Sequence, residues 1–257
     1  MKLDHIVVAV DSLERAIQDY RALGFTVVEG GTHGNQATHN ALIFLSDGTY
    51  IELMAATGNE PLAGVFDFSP LTQQGEGFVG YALLCDDIEF EAKRLQSLGF
   101  ETSDIVTGQR RNSGRLLEWK MCLIDNDFTP FLIQDVTPRE WRVQLSEETI
   151  HHPNRAIGMP AVELLVREMD TAWTKYCNLL NIRPESTASN YRTVGPVRLH
   201  AYTPELASSD DATLSPFAGR PPQEDEALYA VHLRRDSDKT DAFTLQRSHG
   251  VRFKHKS

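Results

Sequence analysis

The sequence has few cysteines and no long apolar run. Its cysteines, Cys85, Cys122 and Cys177, form no CxxC pair, which argues against a disulfide framework or a zinc knuckle and favours a reducing compartment. No segment approaches about 18 consecutive apolar residues, the length expected of a membrane span. The N-terminus, MKLDHIVVAVDSLERA, reaches charged residues too early for a signal peptide. We therefore expect a soluble, cytoplasmic protein without a membrane partner.

Basic residues are also in deficit. The chain has 25 Lys and Arg against 36 Asp and Glu, a formal net charge of −11. Most of its surface would repel a phosphate backbone, so nucleic acid is not an expected partner. The GxxxxGK[ST] phosphate loop, the GxSxG elbow of serine hydrolases and the HExxH zinc motif are absent as well. The composition, 41% hydrophobic over 257 residues, is that of an ordinary globular protein.

The sequence contains an internal repeat of about 25 residues. Residues 3–27 (LDHIVVAVDSLERAIQDYRALGFTV) and residues 78–102 (FVGYALLCDDIEFEAKRLQSLGFET) each contain an apolar strand, an acidic turn and an amphipathic helix. Both end in Leu-Gly-Phe and a new strand, and the same offset matches His5 of the first copy with Gly80 of the second. A repeated unit of this size cannot bury its apolar face alone, so we expect the copies to pair.

Strand and turn signals extend the repeats into β-α-β-β-β modules. We predict modules at residues 1–56 and 78–136 and a divergent third module at 158–257, with an insertion at 203–226. The predicted fold is α+β, with repeated modules pairing into curved mixed sheets that form a cup and with helices on the outside. Three modules leave one without an internal partner, so we expect a homodimer.

Alternation along the strands assigns side chains to the two faces of the sheet. The branched residues Ile6 and Val8 should pack on the helix, which turns His5 toward the concave face. The same alternation through residues 50–54 turns Glu52 toward that face. His5 and Glu52 should therefore converge, either as ligands of a divalent ion or as an acid–base pair. The structural alternative is a buried hydrogen-bonded pair that only holds the sheet.

The module order, with LDHIVVAV at its opening and TYIELM at its close, resembles the vicinal oxygen chelate superfamily, and within it the glyoxalase-like domain proteins. Four further phrases support this resemblance: GNQATHNAL, RRNSGRLLEW, PFLIQ and HPNRA. The resemblance implies paired modules that form a cup. Its members include lyases, isomerases, dioxygenases and metal-free binding proteins, so it names no single reaction.

The resemblance also implies candidate metal ligands. In metal-using members the ligands come from the first and fourth strands of two paired modules, and these positions match His5, Glu52, Gly80 and Gln134. Glycine cannot ligate, which leaves His5, Glu52 and the neutral Gln134 for a divalent ion such as Zn, Mn, Ni or Fe. The alternative is a site without metal. A bound ion would polarise a carbonyl or enolate oxygen.

Other residues in these phrases are candidate substrate contacts. His39 is a candidate base, and Asn40 and Gln134 are candidate contacts beside it. Arg111 suits an anionic or carbonyl group of the substrate, and Trp119 a wall of the cup or the core. We therefore expect a lyase, isomerase or dioxygenase acting on a polar or aromatic small-molecule metabolite, with His5, Glu52 and His39 as catalytic residues. The alternative is a non-catalytic protein that binds or sequesters a small molecule.

Overall fold

The structure is a computed structural model, and it describes residues 1–63, 65–73, 75–112, 114–125, 127–183, 191–201, 226–236 and 248–256. The predicted insertion at 203–226 lies outside these residues apart from Glu226. The first repeat forms β1 (Lys2–Ala9), α1 (Leu13–Ala22), β2 (Val28–Thr32), β3 (Thr38–Phe44) and β4 (Tyr50–Ala56). The connection to the second repeat contains a short helix, α2 (Ser69–Thr72).

The second repeat has the same order of elements. It forms β5 (Gly77–Leu84), α3 (Ile88–Ser97), β6 (Val106–Asn112), β7 (Arg115–Ile124) and β8 (Asp127–Asp135). Two short helices, α4 (Arg139–Arg142) and α5 (Glu147–Ile150), lead into the C-terminal part. That part contains β9 (Ala156–Val166), α6 (Met169–Leu180), β10 (Tyr191–Val194), β11 (Val197–Ala201), β12 (Glu226–Arg235) and β13 (Phe253–Lys256).

The two repeated helices begin and end where local chemistry dictates. The Ser12 hydroxyl accepts a hydrogen bond from the backbone N–H of Arg15, and the Asp87 carboxylate accepts one from that of Phe90, so each helix has an N-cap. Gly24 follows α1 at φ +81° and Gly99 follows α3 at φ +91°, a conformation that favours glycine and ends a helix.

The paired repeats form one eight-stranded sheet in the order β2-β3-β4-β1-β5-β8-β7-β6. At its centre, β1 runs parallel to β4 and antiparallel to β5. The two edge strands approach each other: His33 and Arg110 form an antiparallel bridge, and the N–H of Gly34 donates to the carbonyl of Gln109 over 2.8 Å. The sheet is thus a nearly closed cup, which confirms the predicted fold class.

Strand alternation separates two apolar layers, as predicted. Ile6, Val8 and Leu53 pack against the outer helices, where Tyr20 of α1 is buried. Val7, Met54, Trp119 and several other residues form a second cluster inside the cup. The convex layer anchors the helices, and the concave layer surrounds the candidate site.

The C-terminal strands form a separate five-stranded sheet in the order β10-β11-β9-β12-β13. Strand β12 pairs antiparallel with β9 as β5 does with β1, and β13 runs parallel to β12 as β8 does to β5. The region predicted as the third module thus forms a sheet of its own, and the homodimer stays a prediction. None of the described helices combines the length and apolar character needed to cross a membrane.

Candidate active site

A small cavity lies inside the cup, where polar and apolar side chains meet. Its polar walls are His5, His33, Asn40, Glu52, Arg110 and Arg142. Its apolar walls include Val7, Met54, Phe68, Leu71, Trp119 and Phe131. The free volume between them is about 30 Å³, enough for about two water molecules.

His5 and Glu52 converge in this cavity, as strand alternation predicted. The parallel register of β1 and β4 pairs Val7 with Glu52 and His5 with Tyr50, so the imidazole and the carboxylate lie diagonally across the two strands. His5 Nε2 lies 3.5 Å from Glu52 Oε2. The imidazole stacks on the Tyr50 ring with 4.5 Å between centroids. The two side chains are only 3% and 6% exposed, so their charges act on each other with little solvent screening.

Behind His5 lies an ion pair that the sequence did not indicate. The register of β1 shifts between Leu3 and His5, and this bulge lets the side chain of Asp4 turn inward next to that of His5. Asp4 Oδ2 lies 2.7 Å from His5 Nδ1 and accepts a hydrogen bond of 2.8 Å from Arg142 Nη1. Burial acts to raise the pKa of Asp4, but Arg142 and His5 hold that pKa well below its usual value. Asp4 is therefore an anion that orients the imidazole of His5.

Glu52 is held by a second group of contacts. Asn40 Nδ2 donates to Glu52 Oε1 over 2.7 Å, and His33 Nε2 lies 3.3 Å from the same oxygen. Burial acts to raise the pKa of Glu52, yet His33, His5 and Asn40 lower it to about 2. A carboxylate with so low a pKa is a weak proton acceptor at neutral pH. Its chemical role is to stabilise positive charge on the imidazoles beside it.

Arg110 places a buried guanidinium in the same cavity. Its Nη1 donates to Asn40 Oδ1 over 2.8 Å, and its side chain is 3% exposed. Its Nε is buried without a hydrogen-bond partner, and Arg110 forms no ion pair with any carboxylate in the described residues. Gly30 makes room for this contact, because a Cβ there would overlap Asn40 Oδ1 and Arg110 Nη1.

The structure separates two of the predicted contacts from this cavity. His39 and Arg111 line a shallow depression on the outside of the cup, beside α1. They alternate with Asn40 and Arg110, whose side chains point into the cup, so neighbouring residues in β3 and β6 serve opposite faces. Burial and the charge of His33 lower the pKa of His39. Of the predicted substrate contacts, Asn40 and Trp119 lie in the cup with His5 and Glu52.

Gln134 also lies away from His5 and Glu52. Its Oε1 accepts a hydrogen bond from the N–H of Ile88 at the start of α3, on the convex side of the sheet. The register gives the reason: Ala82 pairs with Phe131 as Val7 pairs with Glu52. The residue of β8 at the position of Glu52 is therefore Phe131, not Gln134.

These residues do not fit the metal site that the resemblance implies. Gly80 and Phe131 have no donor atom in their side chains, and Gln134 lies on the other face. Oε1 of Glu52 already accepts from Asn40 Nδ2 and lies 3.3 Å from His33 Nε2, and the charge of Arg110 acts on the same carboxylate. Within the described parts of the chain, no group of three or more His, Cys, Asp or Glu side chains is arranged to hold a metal ion.

The connection between the two modules covers the cup. This segment is rich in Gly, Pro and polar residues, but its Phe68 and Leu71 are buried in the apolar cluster inside the cup. The Phe68 ring lies 4.9 Å from that of His33. Asp67 fixes the segment, since its Oδ1 accepts hydrogen bonds from Asn35 Nδ2 and from the N–H of Ser69. The apolar residues Phe66, Phe68 and Leu71 were the feature of the sequence that could have predicted the burial of this segment.

Comparison with known proteins agrees with this architecture. The sequence matches the family model described as "Glyoxalase-like domain" over residues 3–180. The chain belongs to this glyoxalase-like family. The match confirms the resemblance on which the cup was predicted. No curated protein matches the sequence.

Solved structures show how far the fold of this family member extends. A hypothetical protein from Staphylococcus aureus is similar over 99% of both chains, with a TM-score of 0.73 and 18% identity. A xylose isomerase-like TIM barrel/4-hydroxyphenylpyruvate dioxygenase fusion protein is similar over 92% of this chain and 37% of its own, with a TM-score of 0.50 and 15% identity. At these identities the likeness shows the fold alone, and it extends beyond the family match to the C-terminal sheet.

Proposed function

We propose that this glyoxalase-like protein is a small-molecule enzyme that binds a carboxylate-bearing metabolite in the cup and transfers a proton through His5. The reaction class is an isomerisation or elimination that starts with proton removal next to a carbonyl group. No step is assigned to a metal ion, because the donor set does not fit one.

The observation that carries this proposal is the unpaired Arg110 guanidinium inside the cup. Burial lowers the pKa of Arg110, and Glu52 offsets this only from beyond ion-pair distance, so a bound anion would stabilise the guanidinium further. Guanidinium groups bind carboxylates with two parallel hydrogen bonds, and Arg110 has a buried Nε that makes none within the protein. A substrate carboxylate or enolate oxygen would give Arg110 the direct ion pair that it does not form within the described residues.

The proton step follows from the hydrogen bonds of His5. The Asp4 carboxylate can only accept, so His5 Nδ1 carries a hydrogen, and in the neutral imidazole Nε2 has the lone pair. Nε2 removes the proton from the substrate carbon, and the electron pair of the C–H bond passes to the carbonyl oxygen as an enolate. The imidazolium is then flanked by the Asp4 and Glu52 carboxylates, which stabilise it. Return of the proton to another position completes an isomerisation, and loss of a β-substituent completes an elimination.

Hydrogen–deuterium exchange tests the proposal directly. The protein is incubated in D₂O with pyruvate or 2-oxobutyrate, and loss of the C3 proton signal is followed by ¹H NMR. We expect exchange above the buffer rate, lowered at least 100-fold in His5→Asn and at least tenfold in Arg110→Gln. The matched control is Arg111→Gln, which removes the neighbouring charge on the outer face and should exchange at the wild-type rate. Exchange that equals the buffer rate, or that persists in His5→Asn, would overturn the proposal.

A second candidate function rests on the contents of the cup. Phe68 and Leu71 fill its mouth, and Trp119 and Met54 give it an apolar wall, as in a protein that sequesters an apolar ligand. This function predicts saturable binding of an aromatic acid such as phenylpyruvate, measured by quenching of tryptophan fluorescence, with no exchange in D₂O. Exchange that depends on His5 excludes pure sequestration.

A further inference from the structure

The C-terminal sheet has the same topology as the cup, and its face opposite α6, which corresponds to the inside of the cup, is called its concave face. Its strand order, β10-β11-β9-β12-β13, repeats β3-β4-β1-β5-β8 with the same relative directions. Its convex face packs Val162, Leu164 and Val197 against the buried Tyr176 and Leu179 of α6. The opposite, concave face is therefore the structural equivalent of the cup.

Pairing registers match individual positions of the two concave faces. Positions occupied in the cup by Val7, Glu52, Met54, Ala82 and Phe131 correspond on the C-terminal sheet to Glu163, Arg198, His200, His232 and Lys254. The apolar positions have become ionisable, and the carboxylate position has become a guanidinium. Packing alone does not require ionisable residues at these positions, because four of the five are occupied by apolar residues in the cup.

Glu163 lies at the centre of this group and is fully buried. Its Oε1 accepts from Lys254 Nζ over 2.7 Å and lies 3.2 Å from His200 Nδ1, while its Oε2 lies 2.7 Å from His232 Nε2. Burial acts to raise the pKa of Glu163, but these partners hold that pKa far below its usual value. The single carboxylate is thus fully used in orienting a lysine and two histidines.

Arg198 leaves part of its hydrogen-bonding capacity unsatisfied. Its Nη1 lies 3.0 Å from His232 Nδ1 and donates to the Tyr191 hydroxyl over 3.0 Å, while its Nε is buried without a partner. Because a guanidinium only donates, His232 Nδ1 must accept, and His232 Nε2 therefore donates to Glu163. This arrangement leaves Arg198 facing a neutral imidazole and a neutral phenol, with no carboxylate of its own among the described ion pairs.

His200 and Lys254 complete the concave face. With Nδ1 of His200 directed at Glu163, its Nε2 has no recorded partner in the described residues, and the side chain is 29% exposed. The ammonium of Lys254 lies 4.7 Å from the centre of the Tyr229 ring, and the guanidinium of Arg252 lies 4.8 Å from the same centre. Among the described residues of this face, the two cations Arg198 and Lys254 stand against one carboxylate, Glu163.

We propose that the concave face of the C-terminal sheet is a second ligand site, which binds a small carboxylate or phosphate between Arg198 and Lys254 with His200 as a further contact. The anion supplies the charge that Glu163 alone does not balance. This site is separate from the cup and does not depend on the function proposed for it.

Calorimetric titration of the full-length Arg110→Gln variant, in which the anchor of the cup is removed, isolates this second site. Sodium malonate and sodium phosphate are titrated separately, and the anion that binds identifies a carboxylate or a phosphate ligand. We expect one anion to bind at one site per chain, with affinity at least tenfold weaker when Arg198→Gln is added. Adding Arg192→Gln instead should leave affinity within twofold, because Arg192 pairs with Asp170 through its Nη2 and stacks over Trp173.

Binding of neither anion, or equal affinity with and without Arg198→Gln, would overturn the second site. If the variants do not fold, ¹H–¹⁵N spectra of the wild-type protein decide the question. Malonate or phosphate should then shift the amides of residues 197–201 and 228–233. Shifts confined to residues 5–54, or no shifts at all, would count against the site.

Discussion

His33 and Arg110 pair across the closing edge of the eight-stranded sheet, and both side chains turn into the cup. The contact that closes the sheet therefore also brings an imidazole and a guanidinium to Glu52 and Asn40. The polar site is complete only when the edge strands meet.

Gly30→Ala should disturb this closure. Its Cβ would overlap the ends of the Asn40 and Arg110 side chains, which are buried and have little room to move. We expect a loss of about 1–3 kcal/mol in unfolding free energy and weaker binding of 2-oxobutyrate, measured by urea unfolding and by calorimetry. Gly34→Ala is the control, since its Cβ would meet only the half-buried side chain of Gln109. Equal behaviour of the two variants would contradict this account of Gly30.

Removal of Arg142 should be among the most destabilising single changes in the cup. Arg142 is 4% exposed and pairs with Asp4, Asp135 and the Tyr50 hydroxyl. Its loss leaves buried carboxylates undercompensated, at a cost of about 3–5 kcal/mol. The measurement is urea unfolding of Arg142→Ala, and the control is Arg15→Ala. Arg15 pairs with Asp19 on the surface, so its loss should cost under about 1 kcal/mol. A small effect of Arg142→Ala would show that Arg139 alone neutralises Asp4.

Stability should fall in acid because of Glu52. Its pKa is lowered on folding from 4.5 to about 2, so its contribution is present above pH 4.5 and is lost as pH falls toward 2. The expected loss is on the order of 2–3 kcal/mol. Urea unfolding of wild type and Glu52→Gln between pH 7 and pH 2.5 measures it. The glutamine variant should show the shallower pH dependence, and parallel curves would assign the acid sensitivity to other carboxylates.

Phe68→Ala should open the cup. The Phe68 ring packs on His33 and Phe66, and its truncation costs about 3 kcal/mol if the space stays empty. We expect phenylpyruvate to bind more tightly because the entrance to the cup is wider. Quenching of tryptophan fluorescence measures this binding. Leu62→Ala is the control, because Leu62 is an exposed residue of the same segment. Unchanged or weaker phenylpyruvate binding in Phe68→Ala would mean that this ring contacts the ligand instead of blocking it.

The sequence predicted the fold and half of the site for a definite reason. Alternation in β1 and β4 has a fixed period, so His5 and Glu52 could be assigned to the concave face once Ile6 and Ile51 were assigned to the core. The offset between the repeats is constant through the first strand and the helix, but the β7–β8 hairpin is longer. The residue of β8 that corresponds to Glu52 of β4 is therefore Phe131. Gln134 was predicted because the sequence around it resembles the family motif.

The residues that sequence reasoning missed are those positioned by distant contacts. Arg142 is separated from Asp4 by 138 positions in the sequence, and the side chain of Asp4 turns inward at a bulge in β1. Arg110 and Arg111 are chemically identical neighbours, so only the pairing of β6 with β7 and the bridge to His33 decide which one faces the cup. No local pattern carries that information.

The proposed base and the anion anchor come from different modules: His5, with Glu52 beside it, lies on the first, and Arg110 lies on the second. A planar enolate held at Arg110 would therefore present a single face to His5. Deuterium taken up at a prochiral carbon, such as C3 of 2-oxobutyrate, would enter with one handedness, so the asymmetry of the modules becomes stereochemistry in the product.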